Sequence, residues 1–215
     1  LEYAARAVGG DAFEVIGLTP PGGEPHDLEL SAAQVAEIAG ADLVLYVKGY
    51  QPAIDEAVAQ QAADHSLDVS AGLTLLPRAP ADGDQGATDP HVWLNPLNMA
   101  AIGTAITGRL SETTPDSTTI IAANNASLGD EMASLHEEFT AGLASCRSTI
   151  MVVSHEAFAY LGAAYGFTQV GISGLSPDAE PSPARMRDVA DLVAREGVTT
   201  IYYETLVDPK VAKTL

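Results

Sequence analysis

Asp89-Pro90-His91-Val92-Trp93-Leu94-Asn95-Pro96 sets an imidazole between an acidic loop and the start of a helix. Asn95 is a good N-cap and Pro96 suits the first helical position, so a helix is expected to begin there. The residue before a proline is pushed to extended backbone, so Asp89 and Asn95 bracket a stiff turn. Trp93, the chain's one tryptophan, lies two residues past the histidine and is expected to anchor that turn against a core. A fixed turn carrying one histidine suits a metal site; the rest depends on what converges there.

Working outward, hydrophobic patterning alternates between strand and helix. Residues 1–8 open in a helical pattern that Gly9-Gly10-Asp11 stops, and 13–18 reads as a strand. Ser31-Ala32-Ala33-Gln34 has capping-box spacing for a short helix to about Ala39. Residues 41–47 form a continuous apolar run, as in a buried parallel strand, and a helix is expected over 52–62. Residues 67–76 have short strand character, 77–90 has loop composition, and 96–110 reads as a helix. The longest helical pattern covers 118–144, with Leu128, Met132, Leu135, Phe139 and Leu143 spaced for one face. Beyond it lie strands over 149–153, 169–172 and 198–203, and helices over 156–164 and from Pro183 to Glu196. A final helix is expected to begin at Asp208-Pro209. This βα alternation predicts an α/β protein of two parallel-sheet lobes joined by a long rigid helix. The expected boundaries are 1–112 for the first lobe, 113–146 for the linking helix and 147–215 for the second lobe.

The 215 residues suffice for a real core, with 47% hydrophobic and 18% charged residues. Ten Lys and Arg against 29 Asp and Glu give a net charge of −19. That balance argues against nucleic acid and anionic lipid as partners and is compatible with a cationic ligand or with simple solubility. Cys146 is the single cysteine, so no disulfide forms within these residues. No apolar run approaches the ~20 residues that span a bilayer. The chain opens and closes in mid-pattern and both ends look cut, so a missing targeting segment carries no meaning.

Of the five histidines, His65 and His136 sit in polar surroundings and read as solvated. His26 and His91 lie in loops, and His155 directly follows a strand. Ligands in parallel α/β sheets gather beyond the carboxyl ends of strands. The wide spacing (91−26=65 and 155−91=64) excludes a zinc finger or a helix-borne pair, so the site must be assembled from distant segments. Three imidazoles suit zinc, copper, iron or nickel better than magnesium or calcium. Glu204, at a strand end, is the best-placed carboxylate to complete the shell. Enzyme motifs fail: His155-Glu156-Ala157-Phe158-Ala159 and His136-Glu137-Glu138-Phe139-Thr140 each lack the second histidine one turn on. Ser154 has no nucleophile elbow, and Gly171-Ile172-Ser173-Gly174 is not a dinucleotide loop.

Several motifs in order resemble the metal-binding solute-binding proteins of ABC importers (cluster A-I), most closely the zinc-uptake type. They are Ala7-Val8-Gly9-Gly10, Pro25-His26-Asp27, Ala41-Asp42-Leu43-Val44 and the His91 stretch, then Ser154-His155-Glu156-Ala157-Phe158, Gly171-Ile172-Ser173-Gly174-Leu175-Ser176-Pro177 and Tyr203-Glu204-Thr205-Leu206. The resemblance implies two lobes on a long helix with one metal ion in the cleft. It draws His26 and His91 from the first lobe and His155 from the second. Manganese members tend to carry an acid at the third position, so His155 points to zinc. The family's fourth ligand position, usually Asp, falls beyond Leu215, leaving that Asp, a water or Glu204. The loop 77–90 has no histidines, and its Asp82, Asp84 and Asp89 attract cations only weakly.

The expected function is extracytoplasmic capture of Zn(II), periplasmic or lipid-anchored, by a monomer that delivers it to an ABC importer permease. The alternatives are a manganese or iron member of the same family, a mononuclear zinc hydrolase with Glu204 or Glu156 as base, and a surface adhesin.

Overall fold

The structure is a computed structural model that describes residues 1–78, 88–177, 179–205 and 210–214. Two compact units divide the chain: Leu1–Thr74 with Asn95–Glu138, and Leu75–Leu94 with Phe139–Leu215.

The first unit opens with α1 (Glu2–Gly9), which buries Ala4, Ala5 and Val8. Gly10 ends it at φ 57°, backbone that a side chain disfavours, and Asn124 donates to the Val8 carbonyl (3.0 Å) beside it. The capping box is formed: Ser31 accepts from the Gln34 amide while the Gln34 side chain accepts from Ser31, starting α2 (Ala32–Gly40). Strands β1 (Val44–Tyr46) and β2 (Ser66–Asp68) pair in parallel through α3 (Pro52–Gln61), with Leu45 opposite Leu67. Ile38, Val44, Ile54 and Val58 form the core beneath this crossover. Asn95 accepts from the Leu97 amide and Pro96 takes the first position of α4 (Pro96–Thr113). The longest helix, α5 (Thr118–Leu143), buries Ile121, Leu128 and Met132. A Cβ on Gly103 would come within 2.6 Å of the Leu128 side chain and 2.7 Å of the Asn125 side chain, so side chains of α5 rest directly on the α4 backbone there.

The strand expected over 13–18 is not formed. Phe13 is extended (φ −133°, ψ 137°), but two carbonyls of the segment accept from side chains instead of a ladder. Arg6 donates to Val15 and Gln34 to Leu18. β propensity describes one strand; the neighbour it needs is a tertiary matter.

The second unit carries a three-stranded parallel sheet in the order β4-β3-β5: β3 (Ile150–Val153), β4 (Thr168–Gly171) and β5 (Ile201–Tyr202). Val152, Ile172 and Val189 form its core. Helix α6 (Ala159–Tyr165) joins β3 to β4, and α7 (Pro183–Glu196) starts at Ser182, which accepts from the Arg185 amide. Gly197 (φ 64°) ends α7, and α8 (Lys210–Thr214) follows. The helix expected to begin at Glu156 begins at Ala159. The backbone before it is already bonded elsewhere: the Glu156 amide to the Gly174 carbonyl (2.9 Å) and the Phe158 amide to the Gln169 side chain (2.7 Å).

The unit boundaries differ from the continuous segments of the sequence reading. Leu75–Leu94 clusters with the carboxyl-terminal sheet, so His91 belongs to the same unit as His155. Helix α5 contributes to both units, with the division after Glu138. No described helix is long and apolar enough to cross a membrane. Asp82, Asp84, Leu206, Asp208 and Pro209 lie outside the described residues.

Candidate metal centre

His91 sits at the head of a single helical turn, Val92–Leu94, and is 2% exposed. The turn is pinned by its own acid. Asp89, also 2% exposed, accepts from the His91 backbone amide (2.9 Å) and faces the imidazole Nδ1 at 2.8 Å through the same oxygen. Trp93, half-buried, meets the imidazole edge-on at 5.4 Å.

His155 follows directly on β3, at the carboxyl end of a central strand. Its backbone neighbourhood is fixed from both sides: the Ser154 amide bonds to Tyr202 and the Ser173 amide to Ser154. The imidazole, 6% exposed, lies 5.4 Å from that of His91 at an interplanar angle of 62°. Ring nitrogens of the two lie within 4.8 Å of one another. Two buried imidazoles from segments 64 residues apart are thus brought side by side within one unit.

Glu204 stands behind His155. Its Oε1 is 3.0 Å from Nδ1, and its Oε2 accepts from the Ser154 hydroxyl at 2.7 Å. Burial of the Glu204 carboxyl opposes its charge, but hydrogen bonds from His155 and Ser154 outweigh this and hold it below the usual carboxylate range. It is therefore an anion at neutral pH. Arg185 braces the same turn by donating to the Gly171 carbonyl and to Glu156 (3.3 Å).

His26 belongs to the first unit. Glu24 accepts from its backbone amide at 2.8 Å, and the same oxygen makes a short contact with Nδ1. Tyr50 packs edge-on against the ring at 5.0 Å, and Gln51 donates to the Pro25 carbonyl at 2.6 Å, fixing the loop.

All three imidazoles therefore present Nδ1 to a carboxylate: Glu24, Asp89 and Glu204. A carboxylate on one ring nitrogen holds the proton there, makes Nε2 the lone-pair donor and raises its basicity. In two of the pairs the acid lies two residues before the histidine and also accepts its backbone amide. That spacing, Glu24-x-His26 and Asp89-x-His91, is a local signal that the sequence reading passed over. The third pair spans 49 residues (204−155), and only the parallel register of β3 and β5 brings it together. His65 is different: it is paired with exposed Asp64 at 2.7 Å. His136 is half-buried on α5. Chemically, imidazole nitrogens backed by anions are donors suited to a divalent transition metal, and the hydroxyl beside them, Ser154, donates to Glu204.

The whole chain, residues 1–215, matches the family model described as zinc-uptake complex component A, periplasmic (ZnuA). It is 33% identical to the zinc-binding lipoprotein AdcA of Streptococcus pneumoniae over 98% of this chain and 44% of that protein. It is 30% identical to the high-affinity zinc uptake system protein ZnuA of Bacillus subtilis, over 95% of this chain and 68% of that one. The zinc(II)-bound ZnuA-like domain of S. pneumoniae AdcA superposes with a TM-score of 0.83 at 32% identity, covering 100% of this chain and 79% of that domain. The chain thus spans less than half the length of the full AdcA protein it matches.

Proposed function

Since this chain belongs to the ZnuA family of zinc-uptake components, we propose that it captures Zn(II) outside the cytoplasm and hands it to the permease of an ABC importer. His26, His91 and His155 are the proposed ligands, each through Nε2. A water or a carboxylate fills the fourth position of a near-tetrahedral shell. Glu204 acts as the anion behind His155 in this reading, and not as the ligand that the sequence suggested. The zinc is cargo, and the role is capture without turnover. The protein works as a monomer, periplasmic or anchored by lipid.

The observation that carries this reading is the buried His91–His155 pair, each ring backed by its own carboxylate, in a chain of this family. Full-length relatives named for zinc binding, and a zinc-bound solved domain with the same fold, support it. Histidine at the third position favours zinc over manganese, since manganese prefers a carboxylate-rich shell.

Zinc titration with metal analysis is the test. One zinc per chain is expected, with His155→Ala weakening binding strongly and His65→Ala leaving it alone. Equal effects of the two substitutions, or zinc binding that ignores both, would refute the assignment.

A further inference from the structure

Backbone pairing joins Leu76 and Pro77 to Thr88 and Asp89 in a neck just before His91: Asp89 N–H donates to the Leu76 carbonyl at 2.9 Å, and Pro77 bridges Thr88 antiparallel. One side chain reaches both sides of that neck. The Tyr160 hydroxyl donates to the Asp89 carbonyl at 2.8 Å and accepts from the Leu76 amide at 3.1 Å. Tyr160 is 3% exposed and lies on α6, five residues after His155 (160−155=5).

We propose that Tyr160 is a positioning residue for the metal ligands: its hydroxyl locks the Leu76–Asp89 neck and thereby sets His91 against His155. The inference rests on the zinc reading above. A phenol is suited to this work. Its one O–H donates to one strand of the neck while its lone pair receives from the other, so a single rigid group fixes both. The hydroxyl acts on the backbone of Asp89, whose carboxylate in turn holds both the amide and Nδ1 of His91. The helix that supplies the tyrosine continues from the His155 turn, so the two ligands are held to one frame before any metal arrives. Such preorganisation strengthens binding by removing the cost of ordering the ligands.

Tyr160→Phe keeps the ring and deletes the hydroxyl. Zinc affinity, read by competition with a chromophoric chelator, should fall by about tenfold, the scale of losing an outer-shell partner. A general loss of stability would not depend on His91, so the decisive readout is a double-mutant cycle. In the His91→Ala background, Tyr160→Phe should change zinc affinity by less than about twofold, because the hydroxyl acts through a ligand that is gone. A tenfold effect that persists without His91 would overturn the proposal, as would unchanged affinity in the single variant. Metal-free measurements separate this from the zinc reading itself. Should the unsubstituted chain take up no zinc, the zinc reading falls and the lock is judged by exchange of the Leu76 amide and the His91 ring ¹⁵N shifts. Both should change in Tyr160→Phe, and their constancy would overturn it.

Discussion

Replacing Asp89 by Asn, or Glu204 by Gln, keeps side-chain volume and removes the negative charge behind one imidazole. In Asp89→Asn the amide oxygen can still accept from the His91 backbone, so the turn survives and the change isolates the charge on Nδ1. Losing an outer-shell carboxylate costs about 10–100-fold in metal affinity. At about 1.4 kcal/mol per decade that is roughly 1.4–2.8 kcal/mol. Burial ranks the two sites within that range. Asp89 is 2% exposed, whereas the Glu204 side chain is 30% exposed and water shares its load. Asp89→Asn should therefore approach the hundredfold end, and Glu204→Gln should lie near tenfold, because the same contact weakens as the local dielectric rises. Competition titration with a zinc chelator measures both against the unsubstituted chain, with circular dichroism confirming the fold. Affinities within twofold of that chain for both variants would refute the orienting role. A larger loss for Glu204→Gln than for Asp89→Asn would refute the ranking and make Glu204 a ligand.

At the proposed three-histidine site acid should release zinc: metal binding requires unprotonated imidazole, so affinity should drop as pH falls below about 6.5. Constant affinity from pH 7.5 to 5 would contradict a three-histidine site. Away from the site, Gly103→Ala should destabilise the first unit by up to about 2 kcal/mol, the overpacking cost less the helix-propensity gain. Gly108→Ala, whose Cβ meets nothing within 4 Å on the same helix, should instead stabilise by about 0.5–1 kcal/mol. Melting temperatures should move in opposite directions, by about 2–4 °C per kcal/mol; a shared sign would contradict the close α4–α5 approach. The Asp64 hydrogen bond raises the His65 pKa above its ordinary 6.5, and the His65 hydrogen bond lowers that of Asp64 below 3.8. The raised group favours folding below 6.5 and loses that effect as pH rises through its folded pKa. The lowered group favours folding above 3.8 and loses that effect on acidification through its own. An NMR titration should place His65 above 6.5, returning toward it in Asp64→Asn; no change on substitution would remove the pair as the cause.

Where the signal was local, sequence and structure agree closely. Asn95-Pro96, Ser182-Pro183 and the Ser31 capping box each carry their helix start within three residues, and all three helices begin there. The buried strands also read well, because apolar runs such as 149–153 mark burial on both faces. Failures came where the deciding partner was distant. Residues 13–18 carry strand composition, yet Arg6 and Gln34 take two of the carbonyls that a ladder would use. Residues 156–158 carry helical composition, yet the amides of Glu156 and Phe158 go to Gly174 and Gln169 across the unit. Likewise nothing in the sequence of 75–94 announces the hydrogen bonds of Leu76 and Asp89 to Tyr160, whereas the structure groups that segment with the second unit.

The same division runs through the site. Its three proposed histidines stand out in the sequence because loop and strand-end positions are where ligands gather. Two of the orienting acids were legible in principle: an acid two residues ahead can accept both the amide and Nδ1 of its histidine, as Glu24 and Asp89 do. Glu204 reads from sequence only as a strand-end acid, and ligand or orienter are equal guesses. The orienting role is proposed because β5 runs parallel beside β3, with Tyr202 opposite Val153. That register carries Glu204, two residues past Tyr202, to the Nδ1 edge of His155, two residues past Val153, while Ser154 between them takes the other oxygen. The place of the acid follows from sheet register, and moving β5 by one residue would reverse which face its side chains meet.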